Sequence, residues 1–386
     1  MAALTDPDLL FAAEGRQLSL ARALYAGVKD LPIVSPHGHT DPRWYALDEP
    51  FPDPAQLLIV PDHYILRMLF SQGVRLEELG VATLDGSLAE TEGRAIWRRF
   101  AEHYYLFRGT PTRLWLDHAL EHLFGIAEPL TTATADRCYD TIATLLQRDD
   151  YRPRALFERF NIEVIATTEG ALDELEWHRT IRDSGWSGRV VTAYRPDAVV
   201  DPDFEGFASN LDRLGEITGC DTGNWAGYLE AHRNRRAYFK AFGATSSDHG
   251  HPTAETANLS DAAAEELFNR IRRGSEDGRE RKLFRAQMLT EMAKMSRDDG
   301  LDADPPWIMA QSFPFRFPEV RPRQGLRYPD PHRLRDGAEA AARLRRAGAR
   351  PRDHPVHAGR DELRARAGAA RRRLSGAEAR PGLMVP

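Results

Sequence analysis

FNIEVIATTEGALDELEWHRTIRDSGWSGRVVTAYRPD, residues 160–197, holds two short runs rich in Val, Ile and Thr, at 160–170 and 187–197, around a segment with helical spacing. Each run breaks off at polar or glycine residues, the pattern of a buried strand whose end opens into a loop. The spacing predicts a helix within 171–185, closed by Gly185. A strand, a crossover helix and a second strand form a parallel unit, because the helix carries the chain back to the starting end of the sheet. Upstream, LPIVSPHGH at 31–39 repeats the pattern, an apolar run ending in polar residues, and predicts another buried strand. Helical patterning fills about 76–159 as an insertion between the first two strands, and about 201–297 after the third. No internal repeat is visible. The predicted class is α/β with a parallel sheet.

Composition narrows the function classes. A chain of 386 residues that is 42% hydrophobic and 28% charged can bury a sizeable core. No run of about 18 apolar residues is present, so no membrane span is expected. The opening MAALTDPDLLFAAEGRQL is acidic where a secretory leader would be basic and then apolar. Cys138 and Cys220 are the two cysteines, too few for a disulfide framework or a four-cysteine zinc site, and the expected compartment is the cytoplasm.

The net charge of −6 conceals two unlike regions. Residues 1–300 carry 34 basic and 48 acidic side chains, whereas 301–386 carry 18 basic residues, all arginine, and 10 acidic ones. That last segment is rich in Arg, Ala and Pro and poor in Val and Ile, so it reads as non-core, with one helical pattern at 336–348. Two readings stay open. It is a basic arm that meets RNA or anionic surfaces by charge, or GC-rich coding DNA read in a shifted frame. The abrupt change near Gly300, with no linker before it, favours the second.

Several clusters carry chemistry. His37 and His39 stand two residues apart at a strand end, so an extended backbone turns both imidazoles to one side, as half of a metal site requires. The plainer alternative is two hydrogen-bonded turn histidines. His63 and Tyr64 pair a proton acceptor with a phenolic donor, although Asp62 before them would equally cap a helix. Arg195 follows its strand directly and precedes Pro196, a placement that presents a rigid fork to a carboxylate or phosphate, or pairs with Asp197. Asp248, His249 and His251 share a loop of turn formers, ATSSDHGHP, suited to binding or merely to solvent.

Taken in order, these segments resemble the uronate isomerases, the glucuronate and galacturonate isomerases of the amidohydrolase superfamily. HGH is similar to that family's metal-binding HxH, DHY to its DHY motif, FGIAEPL to its FGI segment, and ATTEGALDELEWH to a TTD-x-P-x-D-x-L-x-x-H segment. YRPD matches WRPD or FRPD, and SDHG matches an SDH loop; Glu169-Gly170 departs from the usual acid and proline after TT. The resemblance covers about residues 5–300. It implies a distorted (β/α)8 TIM-type barrel with helical insertions. It also implies one divalent metal, zinc first, and interconversion of D-glucuronate with D-fructuronate and of D-galacturonate with D-tagaturonate.

On that resemblance His37 and His39 are metal ligands, His63, Tyr64 and Arg195 act on the substrate, and Arg195, Asp248 and His249 bind it. The expected partner is a small uronate sugar, with no nucleic acid and no membrane, and a homo-oligomer fits the family. The rival functions are a metal-dependent hydrolase of the same superfamily and a non-catalytic scaffold with a basic nucleic-acid-binding tail. The family's later histidine ligand and its aspartate after the eighth strand have no counterpart beyond residue 300. The expectation is therefore an incomplete barrel with two of the metal ligands, weak metal retention and low activity.

Overall fold

The computed structural model describes residues 5–12, 14–82 and 88–301. The segment 302–386, with its helical pattern at 336–348 and His332, His354 and His357, lies outside the described residues, as does the choice between its two readings.

Three parallel strands lie in chain order, β1 (Ile33–Ser35), β2 (Ile162–Gly170) and β3 (Arg189–Arg195). β2 and β3 pair in unbroken register from Val164↔Arg189 to Gly170↔Arg195. β1 pairs with β2 only from Ile33↔Ile162 to Ser35↔Ile165, with an irregularity after Ile33. Beyond β3, a parallel bridge from Tyr194 to Ser247 adds the next position in the same direction. Because the pairings are all parallel, the C-terminal ends of the strands lie at one edge of the sheet.

Helices make the connections. α1 (Gly15–Ala26) precedes β1; α2 (Pro42–Leu47), α3 (Pro54–Leu58), α4 (His63–Ser71), α5 (Gly93–His103), α6 (Pro111–His118), α7 (Ala135–Leu146) and α8 (Pro153–Arg159) join β1 to β2. α9 (Glu176–Asp183) joins β2 to β3, and α10 (Asp197–Val200), α11 (Phe207–Thr218), α12 (Trp225–Ala241), α13 (Asp261–Arg272) and α14 (Gly278–Asp299) follow. Many begin at residues that can accept from the first free N–H groups, including Asp53, Asp62, Thr110, Asn224, Ser260 and Asp277. α9 starts five residues later than the start of the segment 171–185, because Leu175 takes a left-handed conformation and Asp173 holds its N–H.

Two large cores form among the helices. The first, among α3 to α7, encloses Trp97, whose indole donates to Ala135 O at 3.0 Å, and Tyr104, whose hydroxyl donates to Asp117 at 2.8 Å. The second, among α11 to α14, stacks Tyr228 on Phe268 at 4.8 Å and closes over β3 through Tyr194. A small third core, with Tyr45, Phe157, Ile165, Ile181 and Val190, sits between the sheet and α2, α8 and α9.

The expectation of a buried first strand is corrected. Ile33 and Val34 are 49% and 58% exposed. The reason is that β1 is an edge among the described residues: β2 lies on one side and no strand on the other.

Candidate active site

The polar residues at the strand ends come together. Past β1, the Nε2 atoms of His37 and His39 stand 3.3 Å apart with their rings at 84°. Two nitrogens at zinc–nitrogen distances of about 2.0–2.1 Å in a tetrahedron lie about 3.3–3.4 Å apart, so the pair fits as two ligands of one ion. Burial on one side, then the charge of Arg195 and the neighbouring His37, hold the His39 imidazole below its ordinary pKa and favour the neutral, ligating form. Among the described residues there is no group of three or more His, Cys, Asp or Glu that could hold a metal. The two histidines thus account for part of a shell.

His63 opens α4 and faces the same place. Burial, with Arg67 and His39 adding to it, pushes its pKa down to about 4, and its Nε2 is buried without a hydrogen-bond partner among the described residues. A neutral imidazole with a free nitrogen is a proton acceptor in waiting. The ring of Tyr64 lies 4.2 Å from that of His63, and the residue is 54% exposed. Asp62 accepts from the N–H groups of Tyr64 and Ile65, so the helix cap and the histidine–tyrosine pair coexist.

Arg195 ends β3 and is held by acids. Its Nε donates to Asp197 at 2.6 Å and its Nη1 lies 3.0 Å from Asp248, while Asp197 also accepts from Gly250 N at 2.9 Å. Burial works against the guanidinium charge, but the two carboxylates outweigh it and raise its pKa. Both the ion pair anticipated with Asp197 and the second pair to Asp248 are present, and they fix the fork in one orientation.

His249 parts company with Asp248. Asp248 reaches Arg195, whereas His249 is 6% exposed, bonds through Nε2 to Ser247 Oγ at 3.1 Å, and is pushed by burial and His251 to a pKa of about 3. Its charged surroundings include Asp197 and Arg195 of the strand end as well as Arg236 and His232 of α12, so it lies buried between the two. His251 is likewise buried, at 3%.

Sequence reasoning passed over two groups. Thr167, Glu169 and Thr192 form a buried cluster with His178 of α9: Thr167 Oγ1 donates to Glu169 at 2.9 Å, lies 2.9 Å from His178 Nε2, and Thr192 Oγ1 also donates to Glu169. Burial pushes the Glu169 carboxyl up to about 7 and the His178 imidazole down to about 4. On the other face of β2, Thr168 Oγ1 donates to Gly38 O, between the two strand-end histidines, at 2.8 Å. The alternation of Thr167, Thr168 and Glu169 was the available clue.

Residues 11–304 match the family profile described as Glucuronate isomerase. A uronate isomerase of Mesorhizobium japonicum is 85% identical over 301 residues, 78% of this chain and 64% of that protein. One of Rhizobium meliloti is 71% identical over the same lengths. Among solved structures, glucuronate isomerase from Caulobacter crescentus superposes with a TM-score of 0.75 at 54% identity, covering 78% of this chain and 63% of that one. Uronate isomerase from Thermotoga maritima gives 0.68 at 24% identity, a likeness of fold. The chain thus spans less than two-thirds of the length of these two isomerases.

Proposed function

This chain belongs to the glucuronate isomerase family, and on that premise we propose that its described residues are the first half of a distorted (β/α)8 barrel whose strand ends hold an open-chain uronate for aldose–ketose isomerisation. The observation that carries the reading is the convergence at one place of His37 and His39, of His63 with a free buried nitrogen, and of Arg195 braced by Asp197 and Asp248. Sequential parallel order and a fourth position at Ser247 support the barrel. The compartment we assign is the cytoplasm, and the ligand a small anionic sugar.

His37 and His39 would hold one divalent cation, zinc first, which supplies Lewis acidity toward substrate oxygens when bound. The chain's own residues do the rest. Isomerisation moves a proton from C2 to C1 while the hydroxyl proton passes from O2 to O1, through an enediol. His63, kept neutral by burial, accepts a proton from the reacting carbons or their hydroxyls. Tyr64, exposed beside it, donates one. The braced Arg195 contributes a fixed positive charge that favours an anionic sugar.

The test is conversion of D-glucuronate and D-galacturonate by the purified full chain with added zinc, read as ketose formed. Slow conversion that needs zinc and falls at least about 100-fold in His63→Asn is expected, the usual scale for losing a positioned acid–base group. Cleavage of an ester panel with no uronate converted would replace the reading with a hydrolase.

A further inference from the structure

The two strand-end histidines sit on a turn that the sheet does not hold by its usual means. Backbone pairing between β1 and β2 ends at Ser35↔Ile165. The next residue, Pro36, has no N–H to give a ladder. Carried three residues further, the same register sets Gly38 opposite Thr168, and there the side chain takes over: Thr168 Oγ1 donates to Gly38 O at 2.8 Å. The turn also lies flat on β2. A Cβ at Gly38 would stand 3.4 Å from Ala166 O, at van der Waals contact, which shows how closely the turn approaches the strand.

Thr168 is set apart from its neighbours by the strand's alternation. Thr167 and Glu169 point to the helix side and are used up in the cluster with His178 and Thr192. The hydroxyl of Thr168 alone among the three reaches the turn.

We propose that Thr168 is the positioning residue of the His37–Gly38–His39 turn, its hydroxyl tying Gly38 to β2 and thereby setting the spacing of the two imidazole nitrogens. The inference rests on the metal-holding reading of those histidines. It reaches past that reading by naming what preorganises the pair. A chelating pair is sensitive to such a tie because both nitrogens must meet one ion at fixed distance, and partners behind the ligands commonly govern metal affinity by about 10–100-fold.

The experiment compares the full chain with Thr168→Val, which keeps the shape and loses the hydroxyl, and Thr168→Ser, which keeps the hydroxyl. Zinc affinity is measured by competition with a colorimetric chelator. Val is expected to weaken zinc binding by about tenfold or more while Ser stays within about twofold. In metal-free protein, the Gly38 carbonyl carbon resonance should shift in the Val chain and hold in the Ser chain. Equal zinc affinity for Val and the unaltered chain overturns the proposal and leaves the metal reading standing. Unchanged affinity in His37→Ala and His39→Ala, or no zinc bound by the unaltered chain, overturns the metal reading, and the proposal with it. A carbonyl resonance that Val leaves in place removes the tie whatever the metal does. Thr168→Ala replaces Val should that chain fail to fold, with the same expected loss.

Discussion

β3 and β1 belong to one sheet and are built from the same kinds of residue, yet they meet opposite surroundings. β3 lies between β2 and the Ser247 bridge, with Ala193 and Tyr194 at 1% and 0% exposure. β1 pairs on one side for three residues, and α1 ahead of it buries none of its own side chains, leaving Leu20 and Leu24 62% and 67% exposed. Apolar surface stabilises a fold only in proportion to the area taken from water, about 25 cal/mol per Å². A β-branched run therefore specifies a strand without specifying burial; neighbours on both sides supply that. The bare side of β1 is also where the proposed barrel stays open.

That contrast can be broken at three levels. Trp97→Ala, which empties the middle of the first core, should lower unfolding free energy by about 3–5 kcal/mol in urea melts, whereas Leu24→Ala on α1 should change it by less than about 0.5 kcal/mol. Equal losses would mean that α1 is as well packed as the core.

Acid should act on the closed side. His178, His232 and His249 have folded pKa values pushed down by burial to about 4, 3 and 3. The unfolded chain then binds more protons as pH falls below about 6.5, and each imidazole removes about 1.4 kcal/mol of stability per pH unit. Glu169 opposes them: its folded pKa is raised to about 7, so between about 4.5 and 7 the folded chain is the better proton binder and gains stability as pH falls. These three losses against that gain sum to a net fall of roughly 3–4 kcal/mol from pH 7 to pH 5, and His63, held at about 4, with the lowered His39 and His251, adds to the fall. Glu169→Gln should steepen it. A flat profile over that range would contradict the burial of these rings.

The edge strand should respond only weakly in stability. Val34→Lys should alter unfolding by less than about 1 kcal/mol, yet reduce self-association in light scattering, because a charge on an open edge opposes edge-to-edge pairing. Unchanged association would mean that β1 is not the exposed template it resembles.

Much of this was legible in the chain. The three strands are visible because runs such as IEVIATTEG and RVVTAYR stop sharply, and the strand-end histidines and Arg195 are visible because they sit where those runs stop. Ser247 was not, since a single bridge in ATSSDHGHP needs no apolar run. Arg235 and Arg236 of α12 are both buried, at 5% and 0%, and nothing in the local pattern marks them, because long side chains bury their stems wherever a distant carbonyl or acid meets the head group.

Arg236 has a consequence for how the chain is made. Its guanidinium, wholly buried, is gripped by Asp299 through Nε at 2.6 Å and Nη2 at 3.0 Å, with Ser296 beside it. The acid that neutralises α12 is synthesised 63 residues after the arginine. During translation α12 can form as a helix, but it cannot seat against β3 without stranding a charge until the end of α14 has left the ribosome. Closure of the second core around Arg236 is therefore expected to wait for Asp299, an order that hydrogen exchange on stalled nascent chains would reveal or refute.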